Sequence, residues 1–480
     1  MTTPLWRTKP VSSAADSQTG LRRVLGPWQL IALGVGVTIG AGLFSLTGVA
    51  AGQNAGPAVT LSFVIAAVAC GFAGLCYGEL ASMIPSGGSA YSYAYASMGE
   101  LIAWIIGWDL VLEYTVGAAA VASSWSGYLA SLLGGWGLHI DPRLLATPLT
   151  PVTMPDGTLA TAWFNLPAVC ALWGVTALLM RGVSESTTIN TIVVCIKLAV
   201  IVAVIAACAP HISLAHYHPF IPQNTGTFGQ FGMSGVMRAA GMAFFAYLGF
   251  DIVSTTAQDS RNPARDIPIG ILGSLLVCSV VYAVFSMVLT GVVDYRAMAN
   301  DPSPVATAID VAGMPWLASL VKLGITAGYV SVLFGLLMGQ ARVFLIMSHD
   351  GLLPPVFSKL NARTRTPWTS HLMFAALTSL LAALLPIGQL GNMTSIGTLL
   401  AFIIVCIGVP VLRHRHPDAS RQFRVPGGLL VPVLGVLSCG AVMVSLDSLT
   451  WIRLVVWLVI GLAVYFAYGI RNSHLCRRES

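Results

Sequence analysis

The sequence predicts an all-α integral membrane protein of twelve transmembrane helices, the first and sixth of them discontinuous. Composition, recurring apolar runs and the placement of Lys and Arg lead there. The 480 residues are 56% hydrophobic and 9% charged, whereas soluble globular proteins carry about 25% charged residues. No single aqueous core hides that much apolar surface. Twelve apolar segments recur, at 28–51, 57–82, 99–133, 163–180, 188–209, 233–257, 267–292, 316–348, 368–386, 389–412, 429–447 and 451–470. Each is near or above the roughly 20 residues that carry a helix across the hydrocarbon. A helix satisfies its own backbone there. Barrel strands would be about half as long and would alternate, which these runs do not.

Charge placement sets the expected orientation. With residue 1 inside, the cytoplasmic segments hold Arg7, Lys9, Arg22 and Arg23, then Arg181, Arg261, Arg265, Lys359, Arg363, Arg365, Arg413, Arg415, Arg421, Arg424, Arg471, Arg477 and Arg478, while the outer loops hold little beyond Arg143 and Arg296. Positive residues concentrate on the cytoplasmic side of membrane proteins. Residues 1–27 and 471–480 are therefore expected as cytoplasmic tails of a multi-pass protein of the cell membrane, the bacterial inner membrane. The net charge of +6 is accounted for without a nucleic-acid partner. The polar residues before Trp28 lack the short apolar stretch and cleavage site of a signal peptide, so the first segment reads as a retained helix. Eight of the nine cysteines lie in apolar runs, and no CxxC pair occurs; they read as small packing residues. His211, His216 and His218 fall in one outer loop and read as solvated residues rather than a metal site. No metal and no cofactor is expected.

A charge at the centre of a bilayer is costly and marks function. Glu79, Asp109, Glu113, Lys197, Arg238, Asp251, Lys322 and Arg342 fall within the segments. Glu79 and Arg342 lie near cytoplasmic ends and Lys322 near an outer end, where snorkelling or a loop contact suffices; Asp109 is placed near a helix turn at moderate depth. Lys197 lies near mid-membrane and must face the protein interior, where desolvation makes a lysine able to gain and lose a proton. A fixed pairing with an acid such as Glu113 is the alternative. Glu113 is also deep, suited either to a substrate amine or to structural hydrogen bonds.

Two stretches then stand out. GVGVTIGAGLF (34–44) places four glycines in segment 1, and FFAYLGFD (244–251) places Gly249 and Asp251 in segment 6. They occupy corresponding positions in two blocks of five segments, 1–5 and 6–10. Paired interruptions of this kind point to a transporter binding site. Broken helices free backbone groups that are tolerated only inside protein or along a cavity. The half-helix after a break offers N–H groups to an anion, and the half before it offers carbonyls to a cation. The carboxylate and ammonium of an amino acid fit both. Gly249 and Asp251 together suggest a break whose carbonyls need partners. Close helix packing is the bland alternative for the glycines.

The chain resembles the amino acid–polyamine–organocation superfamily of transporters, and within it bacterial amino acid permeases similar to the cationic amino acid transporters. The residues that carry the resemblance are TIGAGLF (38–44), YGELASMIPSGGSAYSYAY (77–95), CIKLAVI around Lys197, MRAAGMAFFAYLGFDIVSTTAQDSRNPARDIPIGI (237–271), GQARVFLIMSHDGLLP (339–354) and SIGTLLAF (395–402). The resemblance implies a LeuT-type fold: a 5+5 inverted repeat over 28–209 and 233–412, with two further helices over 429–470. It implies that a substrate carboxylate meets the backbone amides of Gly40, Ala41 and Gly42. The substrate amine would meet the carbonyls of Thr38, Phe245, Ala246 and Leu248. Lys197 matches a helix 5 lysine that replaces sodium in proton-coupled members, with Ser331 as a neighbour, and Glu113 matches a pocket acid. Proton-coupled amino acid symport by alternating access is the expected activity, with H+ as coupling ion. Amino acid exchange, of cationic substrates among others, is the alternative. A channel would show repeated filter segments and a receptor an output domain. The chain carries no HExxH, GxSxG or P-loop signature in a usable context, so no enzyme is expected.

Overall fold

In the computed structural model, which describes residues 6–10, 25–148, 150–154, 156–182, 187–299, 301 and 303–475, every one of the twelve apolar segments is helical over most of its length. Arg22, Arg23, Arg477 and Arg478, counted above in the positive tails, lie outside the described residues. Segment 1 is split into α1 (Pro27–Thr38) and α2 (42–55), the latter a run of π, α and π turns. Then follow α3 (Val59–Met83), α4 (Ser89–Ser97), α5 (Glu100–Gly135), α6 (Leu166–Met180) and α7 (Thr187–Cys208). Segment 6 is split into α8 (Gly232–Phe244) and α9 (Ile252–Thr255). The chain continues through α10 (Pro263–Val292), α11 (Pro304–Val311), α12 (Pro315–His349), α13 (Trp368–Leu384), α14 (Ile387–Arg415), α15 (Leu430–Val444) and α16 (Ser448–Val464). A small antiparallel hairpin, β1 (Pro151–Thr153) with β2 (Leu159–Thr161), fills the loop between α5 and α6.

Among the described residues, eight helical stretches are long and apolar enough to cross a membrane, and four more apolar helices are shorter. One of the short ones, α1, is cut by the break after Thr38. The other three, α6, α13 and α15, have 15, 17 and 15 residues; apolar side chains run past their ends into loops, so the sequence segments overshoot them. The chain is a multi-pass membrane protein, and its surface says why in physical terms. Leu276, Val280, Val284 and Met287 form an exposed stripe on α10, and Ile452, Val455, Val456, Val459 and Ile460 another on α16. A water-facing surface would not carry such continuous apolar stripes.

The packing follows a regular scheme. Helix α3 lies along α10, α5 along α12, and α6 along α13. Helix α1 packs on α10 and α8 on α3; α5 packs on α14 and α12 on α7; α1 packs on α7 and α8 on α14. Each pairing within this list has a counterpart shifted by five segments. Helices α15 and α16 lie at the periphery, against α14, α3 and α5.

One face gathers the described segments 6–10 and 470–475. Lys9 pairs with Asp350 (2.8 Å), Tyr91 donates to the same carboxylate (2.8 Å), and the His474 amide donates to the Asp350 carbonyl (3.0 Å). On that face Glu79, buried at the end of α3, accepts two bonds from Arg413 (2.9 and 2.6 Å) and one from the Val425 amide (2.7 Å). It is the loop contact expected for an acid near a helix end. The arrangement is bidentate and charge-assisted, the stronger kind of ion pair, and it straps the loop between α14 and α15 to α3.

Candidate functional site

Residues 39–41 interrupt segment 1. Ile39 turns to an extended conformation (φ −75°, ψ 103°), and α2 opens on Ala41 and Gly42. The amides of Gly40, Ala41 and Gly42 therefore have no carbonyl of α2 beneath them, as at any helix start. Helix α2 begins as a π turn over Gly42–Leu46, a distortion common at functional sites. Thr47 Oγ1 donates to the Leu43 carbonyl (2.7 Å) and Tyr128 to the Phe44 carbonyl (2.7 Å), serving the loosened turn.

The second interruption spans 248–251. A 3-10 turn at Phe245–Tyr247 ends in Leu248 (ψ 131°), and Gly249 takes φ +117°. This is left-handed territory that favours glycine. A side chain there would also meet Val37 and the Thr38 amide of the first break. Asp251 accepts from the Gly249 amide (3.2 Å) and from Tyr114 (2.8 Å). The acid thus serves a freed N–H, not the freed carbonyls that its sequence position suggested.

The two breaks touch. A methyl group on Gly42 would run into Ala246 Cα and Cβ, so the backbones of α2 and the 3-10 turn pack directly on each other. Tyr282, on α10, links the carbonyls: its hydroxyl lies 2.9 Å from the Thr38 oxygen and 2.8 Å from the Ala246 oxygen. Carbonyl oxygens carry two lone pairs, so both retain accepting capacity. The Phe245 carbonyl takes the Leu248 amide (3.1 Å).

A small pocket lies against the breaks. It is bordered by Thr38, Gly40, Ala41, Gly42, Phe245 and Leu248, six of the residues singled out in the sequence. Val37, Val121, Val332 and Leu336 complete the wall. The Thr38 hydroxyl is buried and finds no hydrogen-bond partner among the described residues.

Lys197 approaches from α7. It is 1% exposed, and its Nζ donates to the Gly36 carbonyl (2.5 Å) and the Ile39 carbonyl (3.2 Å). These are carbonyls at the end of α1, where the helix dipole favours a cation. The lysine stem lies against Gly328 of α12, whose missing side chain makes room for it. Ser331, one turn on, donates to the Gly328 carbonyl (3.0 Å). Glu113 sits elsewhere. It is fully buried on α5, its oxygens find no hydrogen-bond partner among the described residues, and its acidic neighbours are Asp251 and Asp109. It neither clamps Lys197 nor borders the cavity. The nearby Thr398 hydroxyl is committed to the Thr394 carbonyl (3.0 Å). Asp109 is fully buried within α5.

Residues 25–466 match the family model described as amino acid permease. The chain belongs to the amino acid permease family. The permease is 41% identical over 463 residues to a branched-chain amino acid permease of Bacillus subtilis (strain 168), covering 96% of each chain. It is 40% identical over 473 residues to a methylthioribose transporter of the same organism, covering 98% of the permease and 99% of the relative. It is also 40% identical over 421 residues to the vacuolar cationic amino acid transporter 2 of Arabidopsis thaliana, covering 86% of the permease and 64% of that longer relative. The permease is thus an amino acid transporter by family.

Tyr282, Val121, Val332, Leu336 and Gly328 belong to the site without having been singled out. Tyr282 alone left a signal: a hydroxyl in an apolar run needs a partner, though nothing in the run says which.

Proposed function

We propose that the permease takes up an amino acid together with a proton by alternating access, as a LeuT-type 5+5 inverted repeat of twelve transmembrane helices with both termini cytoplasmic. The substrate carboxylate binds the amides of Gly40, Ala41 and Gly42. Its ammonium shares the carbonyls of Thr38, Phe245, Ala246 and Leu248. The five-segment periodicity of the packing and the meeting of Lys9 and His474 at Asp350 support this architecture. The observation that carries the coupling is the Lys197 ammonium on the Gly36 and Ile39 carbonyls. A buried ammonium is costly unless its donors are used, and here they hold the end of α1 beside the substrate amides. Loss of the proton removes the charge that holds this end, so proton occupancy and the shape of the site change together. Ser331 supports the lysine indirectly, through the Gly328 carbonyl. No cofactor takes part.

Reconstituted vesicles test this. With an inward proton gradient, empty vesicles should accumulate amino acid above the external concentration. Uptake confined to vesicles preloaded with amino acid would replace symport by exchange.

A further inference from the structure

We infer that Leu248 screens the substrate cavity from the Glu113 carboxylate and so selects uncharged aliphatic side chains over cationic ones. This rests on the amino acid transport reading and assigns a substrate class to the same site.

Apart from Thr38, the side chains of the wall are apolar: Val121 from α5, Phe245 and Leu248 from the second break, Val332 and Leu336 from α12. No ionisable side chain borders the cavity. The nearest cation, Lys197, stands on the Ile39 carbonyl next to Gly40 and disfavours a second positive charge. The acid that would receive a cationic side chain lies below. Glu113 precedes Val121 by eight residues of continuous helix, about 12 Å along the axis at 1.5 Å per residue. Between them comes Gly117, and there the Leu248 side chain intervenes: a Cβ on Gly117 would lie 2.8 Å from Leu248 Cδ2 and 3.8 Å from Leu336 Cδ1. Leu248 therefore fills the groove that the absent Gly117 side chain leaves along α5, on the path from the cavity to Glu113. A guanidinium or ammonium at the end of a substrate side chain would be buried there without a carboxylate partner, which is strongly disfavoured. A branched aliphatic group there meets mostly side chains of its own kind.

The test uses the full-length permease in detergent or vesicles and pairs of probes matched in length, norleucine against lysine and leucine against arginine, with thermal stabilisation or competition for uptake as the readout. The wild type should bind the uncharged member at least about tenfold more tightly in each pair, a gap of about 1.4 kcal/mol. Leu248→Ala should close that gap by improving lysine and arginine, and adding Glu113→Gln should reopen it. Equal binding of norleucine and lysine by the wild type overturns the inference, and needs no variant to fold. A gap unchanged by Leu248→Ala overturns the role of Leu248. Absence of binding or transport of any amino acid, charged or not, would instead remove the transport reading and this inference with it.

Discussion

The two helix breaks meet at the same cavity, yet they are satisfied by opposite means. The first, at 39–41, has its carbonyls held from outside by Lys197, a cation on another helix. The second, at 248–251, is held from within by Asp251, two residues past the amide it accepts and locked by Tyr114. A lysine can surrender its proton and its hold. The Asp251 arrangement has two donors on one carboxylate, one of them from the break itself. Under the proposed coupling the first break is the one that changes and the second the one that stays, with Tyr282 tying the two together.

The strongest challenge to this contact between breaks is Gly42→Val. The added side chain collides with the Ala246 backbone, which cannot move without pulling the second break away. Amino acid binding should fall to background in a thermal-shift assay, and retained binding would show that the breaks need not touch. Next comes Asp251→Ala. It orphans the Gly249 amide and the Tyr114 hydroxyl, each worth about 1–3 kcal/mol when buried without a partner. Thermal stability should drop by a matching amount, whereas Asp251→Asn, which keeps an acceptor, should recover most of it while leaving proton-driven accumulation in place. Smaller again is Tyr282→Phe, which takes one hydroxyl from two buried carbonyls. A loss of about 1–3 kcal/mol is expected, with a raised KM for the amino acid in uptake assays and no change in whether uptake follows the proton gradient. Least of all, Ser331→Ala removes a bond to its own helix and should cost about 0.5–1.5 kcal/mol without uncoupling transport. Uncoupling by this variant would place Ser331 in direct contact with the lysine during the cycle.

How much of this was legible beforehand follows from the range of each interaction. The helices and the breaks are written locally, in apolar runs and in the glycines of 34–44 and 249, so they could be read off the chain. Lys197 announces itself because a charge in an apolar run has few explanations. The long-range contacts left no local trace. Tyr282 reaches the Thr38 carbonyl across 244 residues, and its neighbours in sequence say nothing of that partner. Glu113 looked like a pocket acid because depth is legible and direction is not: the same helix presents Val121, and not Glu113, to the cavity. Asp251 was placed at its break, but which freed group it would serve depended on the turn at Gly249. The short helices α4 and α11 and the β1–β2 hairpin fall between apolar runs, where periodicity carries no signal.

The central claim is that the hold of Lys197 on the first break ties amino acid movement to the proton. The direct measurement is amino acid accumulation by Lys197→Ala in vesicles under an inward proton gradient, beside the wild type. The account predicts that the wild type concentrates its substrate and the variant does not. Accumulation by the variant equal to that of the wild type would contradict it.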